Sequence, residues 1–223
     1  MNIKGLEYCF EYAGSQVYKT NNFDALPGDS KKLLEPQLSE VAACAFQRSL
    51  TPEFSEDVAS HIRGADLYMT VNDTLPTGFA ALKNYPAEGV IYIAGIVKKP
   101  QAPSRVIEKI VNHYLDQNQA ETVAVRTQND RVVEIMANTC SRVIAMDEVA
   151  GSKQITLLQN IGLITPETEI DEKRLVLPGY FGSPMIAQGE RRRSSNPRVT
   201  NFTDILDYSA GDAMLLVGYR RLL

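Results

Sequence analysis

The sequence predicts a mixed α/β (α+β) fold, a mostly antiparallel sheet flanked by helices, in a single domain spanning residues 1–223. Three observations predict it. Strand-like and helix-like patterns interleave in the order β, α, α, β, β, β, α, β, α up to residue 140. Three of those strand patterns follow one another through short turns, which suits an antiparallel meander. The composition is that of an ordinary globular protein, 44% hydrophobic and 22% charged over 223 residues, with no internal repeat and no second composition regime. A chain of this length buries enough apolar surface to fold without a metal or disulfide.

Taken in order, GLEYCFEYA (residues 5–13) alternates as a strand, with Leu6, Tyr8 and Phe10 on one face and Glu7, Cys9 and Glu11 on the other. The segment GSQVYKTNNFDALPGDSKK is rich in turn formers and reads as a connection. From Leu34, the residues Leu38, Val41, Ala42, Ala45 and Phe46 recur at helical spacing over about four turns. Thr51 as N-cap, Pro52 as first helical residue and Glu53 beside it then start a second helix, which ends at Gly64. The meander is ADLYMTVND, TGFAALKNY and GVIYIAGIV, with Asn72, Asp73, Pro76, Pro86 and Gly89 at its turns. The next helix carries one continuous apolar face of Val106, Ile107, Ile110, Val111, Tyr114 and Leu115. ETVAVRTQN follows as a strand and NDRVVEIMANTC as a helix. Beyond Cys140, SRVIAM reads as a strand and SKQITLLQNIG as a short helix stopped by Gly162. KRLVLPGYF and AMLLVGYRRL read as two strands separated by a polar loop over 186–212.

Several function classes are disfavoured at this level. A formal net charge of -4 and an isoelectric point near 5.3 argue against general nucleic-acid binding. No apolar run reaches membrane-spanning length, and the N-terminal residues carry no signal-peptide core. Cys9, Cys44 and Cys140 are an odd set at unrelated spacings, as expected of reduced thiols in the cytoplasm. His61 and His113 are far apart and in no ligand spacing, so no metal is expected. Strand edges near the C-terminus suggest a homodimer.

The stretch that invites a functional reading is GVIYIAGIVKKPQAPSRVIEKIVNHYL, residues 89–115, in which a strand passes into a helix through Lys98, Lys99, Pro100, Gln101, Ala102, Pro103 and Ser104. A helix start presents undercoordinated amides and the positive end of the helix dipole, which together attract an anion. Lys98 and Lys99 would raise the local potential for a ligand carrying several phosphates. The plain structural alternative is a proline-stiffened surface loop with two solvated lysines.

This order of elements resembles the GNAT superfamily of acetyl-CoA-dependent N-acyltransferases. In that family the strand-to-helix loop has Gln or Arg, two residues, Gly, one residue, and Gly or Ala. Gln101 takes the first of these positions here, Ser104 the first Gly and Val106 the second. The segment VAVRTQNDRVVEIMANTC resembles the next family motif, in which an Asn opens a helix; Asn129, Arg131, Val132, Val133 and Ile135 take its positions. The resemblance covers residues 35–140 by motif and the rest by order of elements.

It implies acetyl-CoA, or another short acyl-CoA, as co-substrate, and direct acyl transfer to an amine acceptor, a small molecule or a protein. By the same resemblance Ile96, Val97, Lys98, Gln101, Ala102, Ser104, Arg105, Val106 and Asn129 would bind the cofactor. Glu88, Tyr92 and Tyr180 are the candidate catalytic side chains, with Asp66 a further candidate base. The sequence departs from the family in two places: neither loop glycine is present, and MANTCSRV lacks the Tyr that many members use as general acid. The alternative function is therefore a GNAT-fold binding or regulatory module without efficient catalysis. Asn129 is also a good helix cap in its own right. Arg105 and Arg131 could serve a phosphate, and Arg191, Arg192, Arg193 and Arg198 in ERRRSSNPR could favour an anionic acceptor or partner, or form a solvated loop. Cys140 is a weaker candidate nucleophile, with no His near it in sequence.

Overall fold

The computed structural model describes residues 3–185 and 193–220. Its contacts cluster into two compact units, each assembled from separate stretches of chain: residues 1–83 with 93–117, and residues 84–92 with 118–223.

In the first unit, β1 (Glu7–Tyr12) and β2 (Ser15–Thr20) form an antiparallel hairpin. Ala13 and Gly14 both have positive φ, 48° and 81°, as a tight two-residue hairpin requires. The sequence reading placed a connection where β2 lies; the pairing of Tyr12 with Ser15 and the burial of Val17 make that stretch a strand. Nor does β1 alternate cleanly. The register shifts between Tyr8 and Phe10, so Cys9 occupies a bulge, and the expected division of faces at Cys9 and Phe10 fails. As a result Cys9 Sγ lies 3.2 Å from His113 Nε2 while the Phe10 ring packs 5.0 Å from the same imidazole.

A 3-10 turn at Phe23–Ala25 leads into α1 (Gly28–Phe46), which starts six residues before Leu34 and carries Pro36 internally. The helix α2 (Pro52–Ile62) is capped as expected, the Thr51 hydroxyl accepting from Phe54 N–H at 3.2 Å. Next come β3 (Asp66–Asn72), β4 (Leu75–Tyr85) and β5 (Val90–Lys98), of which β4 and β5 run through both units, and then α3 (Val106–Gln117). Strand order here is β1-β2-β3-β4-β5. Residues Leu67–Val71 are all buried, and all six apolar residues expected on α3 are buried as well.

The second unit is built on β6 (Thr122–Thr127) and β9 (Ala213–Tyr219), paired antiparallel along their whole length. The strand β7 (Arg142–Ile144) pairs with β9 on its other side, and β8 (Val176–Leu177) pairs with its start. The last strand is thus flanked on both sides. The stretch KRLVLPGYF contributes only two strand residues. Helix α4 (Asp130–Thr139) packs closely on β9: a side chain at Gly218 would fall 2.4 Å from Cys140 Sγ. Helix α5 (Ser152–Asn160) follows, and α6 (Pro197–Thr203) lies inside the segment read as a polar loop. Its start was written in the sequence as Asn196 followed by Pro197, a cap and a first-turn proline.

Candidate functional site

The loop after β5 is held by backbone from within the first unit. Lys99 N–H donates to Thr77 carbonyl at 2.8 Å, and Ala102 N–H closes a turn onto Lys99 carbonyl at 3.0 Å. Lys98 Nζ donates to Ala102 carbonyl at 3.2 Å. Beyond that turn, Val106 N–H reaches Pro103 carbonyl at 3.5 Å, and the first α-helical bond runs from Lys109 to Arg105.

The amides of Gln101, Ser104, Ile107 and Glu108 meet no acceptor among the described residues. Among the described residues no side chain accepts from the first amides of α3, whereas Thr51, Asn129 and Asn196 cap α2, α4 and α6. The reason is local: Arg105, in the capping position, has φ of 64°, and its side chain turns forward to Glu108, with Nε to Oε2 at 3.1 Å and NH2 to Oε1 at 2.6 Å. Holding a non-glycine residue in this left-handed region costs about 1–2 kcal/mol. The left-handed position is therefore Arg105, between the two sites where the family pattern has glycine. Gln101 and Ser104 are exposed, Ala102 and Val106 are buried, and Ile96 and Val97 lie in β5.

In the second unit, Asn129 follows β6 and caps α4, its Oδ1 accepting from Arg131 N–H at 2.9 Å. Its own N–H donates to Thr127 Oγ1 at 2.9 Å. Arg131 is tied to Glu134 at 2.6 Å, as Arg105 is to Glu108, so both arginines have carboxylate partners within one turn.

Two aromatic groups of this unit gather around Arg126, which the sequence reading did not single out. The Arg126 guanidinium carbon lies 4.0 Å from the centre of the Tyr180 ring. Tyr92 is 7% exposed. Burial pushes its phenol above the ordinary value, and the Arg126 charge pulls the other way. Tyr92 is thus a neutral hydroxyl donor at pH 7. Of the three candidate catalytic residues, Tyr92 and Tyr180 come together around Arg126; Glu88 sits in the turn at 86–89, its carboxylate without a hydrogen bond or ion pair among the described residues.

Tyr180 is presented by a rigid turn. The buried carboxylate of Asp212 accepts Gly179 N–H at 2.8 Å and Asp207 N–H at 2.9 Å, and Phe181 N–H donates to Gly211 carbonyl at 2.8 Å. Gly211 has φ of 82°, and a side chain there would strike Ser183 N at 2.5 Å. Gln128, fully buried, donates to Asp212 carbonyl at 3.0 Å and accepts from Met185 N–H.

The remaining candidates have structural partners. Asp66 accepts from Asn22 N–H at 2.8 Å and from Tyr114 hydroxyl at 2.5 Å, which occupies it as a base. The Cys140 thiol is buried and pushed up to about 12, which leaves it unreactive as a nucleophile. In the basic stretch, Arg193 pairs with Asp204 and Arg198 with Asp147. Arg191 and Arg192 lie outside the described residues. No helix among the described residues is long and apolar enough to cross a membrane.

Solved structures similar to this chain include three acetyltransferases. The IAA acetyltransferase from Bacillus cereus matches at 12% identity and a TM-score of 0.44, over 92% of this chain and 99% of that one. The ribosomal-protein-S18-alanine N-acetyltransferase from Escherichia coli matches at 9% identity and a TM-score of 0.44, over 93% and 96%. An aminoglycoside 6'-acetyltransferase type Ii matches at 13% identity and a TM-score of 0.39, over 51% and 80%. No protein-family model matches the chain, and no curated protein matches it. At these identities and TM-scores the likeness carries no argument about activity.

Proposed function

We propose that this chain is an acyl-CoA-dependent N-acyltransferase, transferring an acetyl or other short acyl group directly to an amine. The observation that carries the reading is the loop and start of α3: four amides, of Gln101, Ser104, Ile107 and Glu108, without acceptors among the described residues, following a strand and two lysines. Anion binding at such a terminus needs neither of the absent glycines, because Ser104 still supplies an N–H. Pro103 supplies none. In this reading the loop from Lys98 to Val106 takes the pyrophosphate, and the backbone of Ile96 and Val97 takes the pantetheine arm.

Direct transfer requires a neutral amine, a polarised thioester carbonyl and a proton for the departing thiolate. The amine nitrogen attacks the carbonyl, the tetrahedral intermediate collapses with cleavage of the C–S bond, and the thiolate takes a proton. Tyr92, which burial keeps protonated, supports the role of acid where MANTCSRV, at the end of α4, has no tyrosine. Glu88, the carboxylate without a partner among the described residues, supports the role of base. The three free cysteines support a reducing, cytoplasmic setting.

Titration calorimetry of the purified chain with acetyl-CoA tests the proposal. Saturable binding is expected, weakened at least about tenfold by Ser104→Pro, which deletes one charge-assisted donor, and less by Gln101→Ala, which keeps its amide. No heat of binding at millimolar acetyl-CoA, with the fold intact by circular dichroism, overturns it and leaves the fold as a scaffold for some other partner.

A further inference from the structure

Among the described residues, the arginines of the second unit follow a rule with one departure: each meets an oxygen acceptor except Arg126. Arg131, Arg142, Arg174, Arg193 and Arg198 each face a carboxylate, and Arg220 NH1 reaches Ala120 carbonyl at 3.5 Å. Arg126, half-buried on β6, meets no oxygen acceptor among the described residues. Its described neighbours are aromatic: the Tyr180 ring, 4.0 Å from the guanidinium carbon, and the Tyr92 phenol, on which its charge acts. A guanidinium lying on an aromatic face keeps its in-plane N–H groups directed outward, and it is held flat at little further entropic cost. Unpaired donors on a half-buried cation are expensive unless something fills them.

We propose that Arg126, backed by Tyr180, is an anion subsite that receives a carboxylate on the acceptor molecule. A carboxylate matches the guanidinium fork in two parallel hydrogen bonds and brings a single charge to a cation that has no acidic partner among the described residues. A phosphate monoester brings nearly two charges, more than one guanidinium balances. The Tyr180 turn serves the same end. It is clamped by Asp212 through two backbone amides, yet its ring is left 44% exposed at the surface, a placement that packing alone does not require. Specificity follows: an amine carrying a carboxylate is a better acceptor than the same amine as its amide.

The name of acceptor rests on the acyl-transfer reading, but the binding does not, so the test uses no acyl-CoA. With tyrosine rings labelled in carbon-13, the full chain is titrated with N-acetylglycine, with N-acetylglycinamide and with inorganic phosphate. The Tyr180 signal is identified by its loss in Tyr180→Phe. The expected result is a saturable shift of that signal by N-acetylglycine, at least about tenfold weaker for the amide, and lost in Arg126→Gln, as removal of a charge-assisted pair demands. Arg126→Lys, which keeps the charge without the fork, is expected to lie between them. Equal response to acid and amide, retention in Arg126→Gln, tighter response to phosphate, or no response at all overturns the proposal. Carboxylate binding without acetyl-CoA binding would overturn only the transferase reading, and the reverse only this one.

Discussion

Asp212 is the residue on which the presentation of Tyr180 depends most, and its replacement gives a prediction with a size. Its carboxylate is 9% exposed at the residue level and accepts two backbone amides, from Gly179 at 2.8 Å and Asp207 at 2.9 Å. Charge-assisted hydrogen bonds in such positions contribute about 1.5–3 kcal/mol each, and truncation also strands the donors. Asp212→Ala is therefore expected to cost about 3–5 kcal/mol. For a chain of this size each kcal/mol moves the melting temperature by about 2–4 °C, so the fall is roughly 6–20 °C. Asp212→Asn keeps one acceptor oxygen and should lose about half as much. Thermal unfolding followed by far-ultraviolet circular dichroism measures both. A melting temperature for Asp212→Ala within about 2 °C of the parent would show that the two amides find water equally well, and the rigid-turn argument for Tyr180 would fail with it.

Three further outcomes are expected. The Thr139 hydroxyl oxygen is buried without a partner among the described residues, so Thr139→Val should raise stability by about 1 kcal/mol in urea unfolding; a loss of that size would point to a partner for the hydroxyl. A thiol reagent at pH 8 should modify exposed Cys44 first, half-buried Cys9 more slowly, its thiol raised by burial, and Cys140 only on unfolding; equal rates for all three would refute the burial assignments. His113 is held below its ordinary value of 6.5, chiefly by burial and then by Lys19, against an opposing effect of Asp116. Between the depressed folded value and 6.5 the unfolded chain binds more protons, so stability rises with pH there and falls as pH drops below about 6.5. His113→Gln should flatten that slope between pH 7 and 5, and an unchanged slope would place its origin elsewhere.

The central stretch was legible because its signals are local. The burial of Val106, Ile107, Ile110 and Leu115 repeats at helical spacing, and Thr51 with Pro52 writes a helix start in two residues. Where one residue decided the geometry, the pattern misled. Cys9 continues the alternation of β1 on paper, but a bulge there spends one residue without a cross-strand partner. In SQVYKT the polar residues outnumber Val17, and one of its two partners, β3, lies far along the chain. The candidate site was readable to the same extent. The loop after β5 declares itself through its prolines and lysines, while the positive φ of Arg105, which leaves α3 uncapped, has no sequence signal. Arg126 is a single polar residue in a strand, and its meaning depends on a tyrosine from a distant turn. Asn196 with Pro197 could have been read as a helix start had the arginines before it not suggested a solvated loop.

The claim that the start of α3 is an acyl-CoA pyrophosphate site is tested most directly by amide nitrogen-15 spectra of the assigned chain during titration with coenzyme A. The account predicts saturable changes concentrated on the N–H signals of Gln101, Ser104, Ile107 and Glu108, moving together with one dissociation constant. Saturable binding that leaves those four signals in place and shifts others would contradict it.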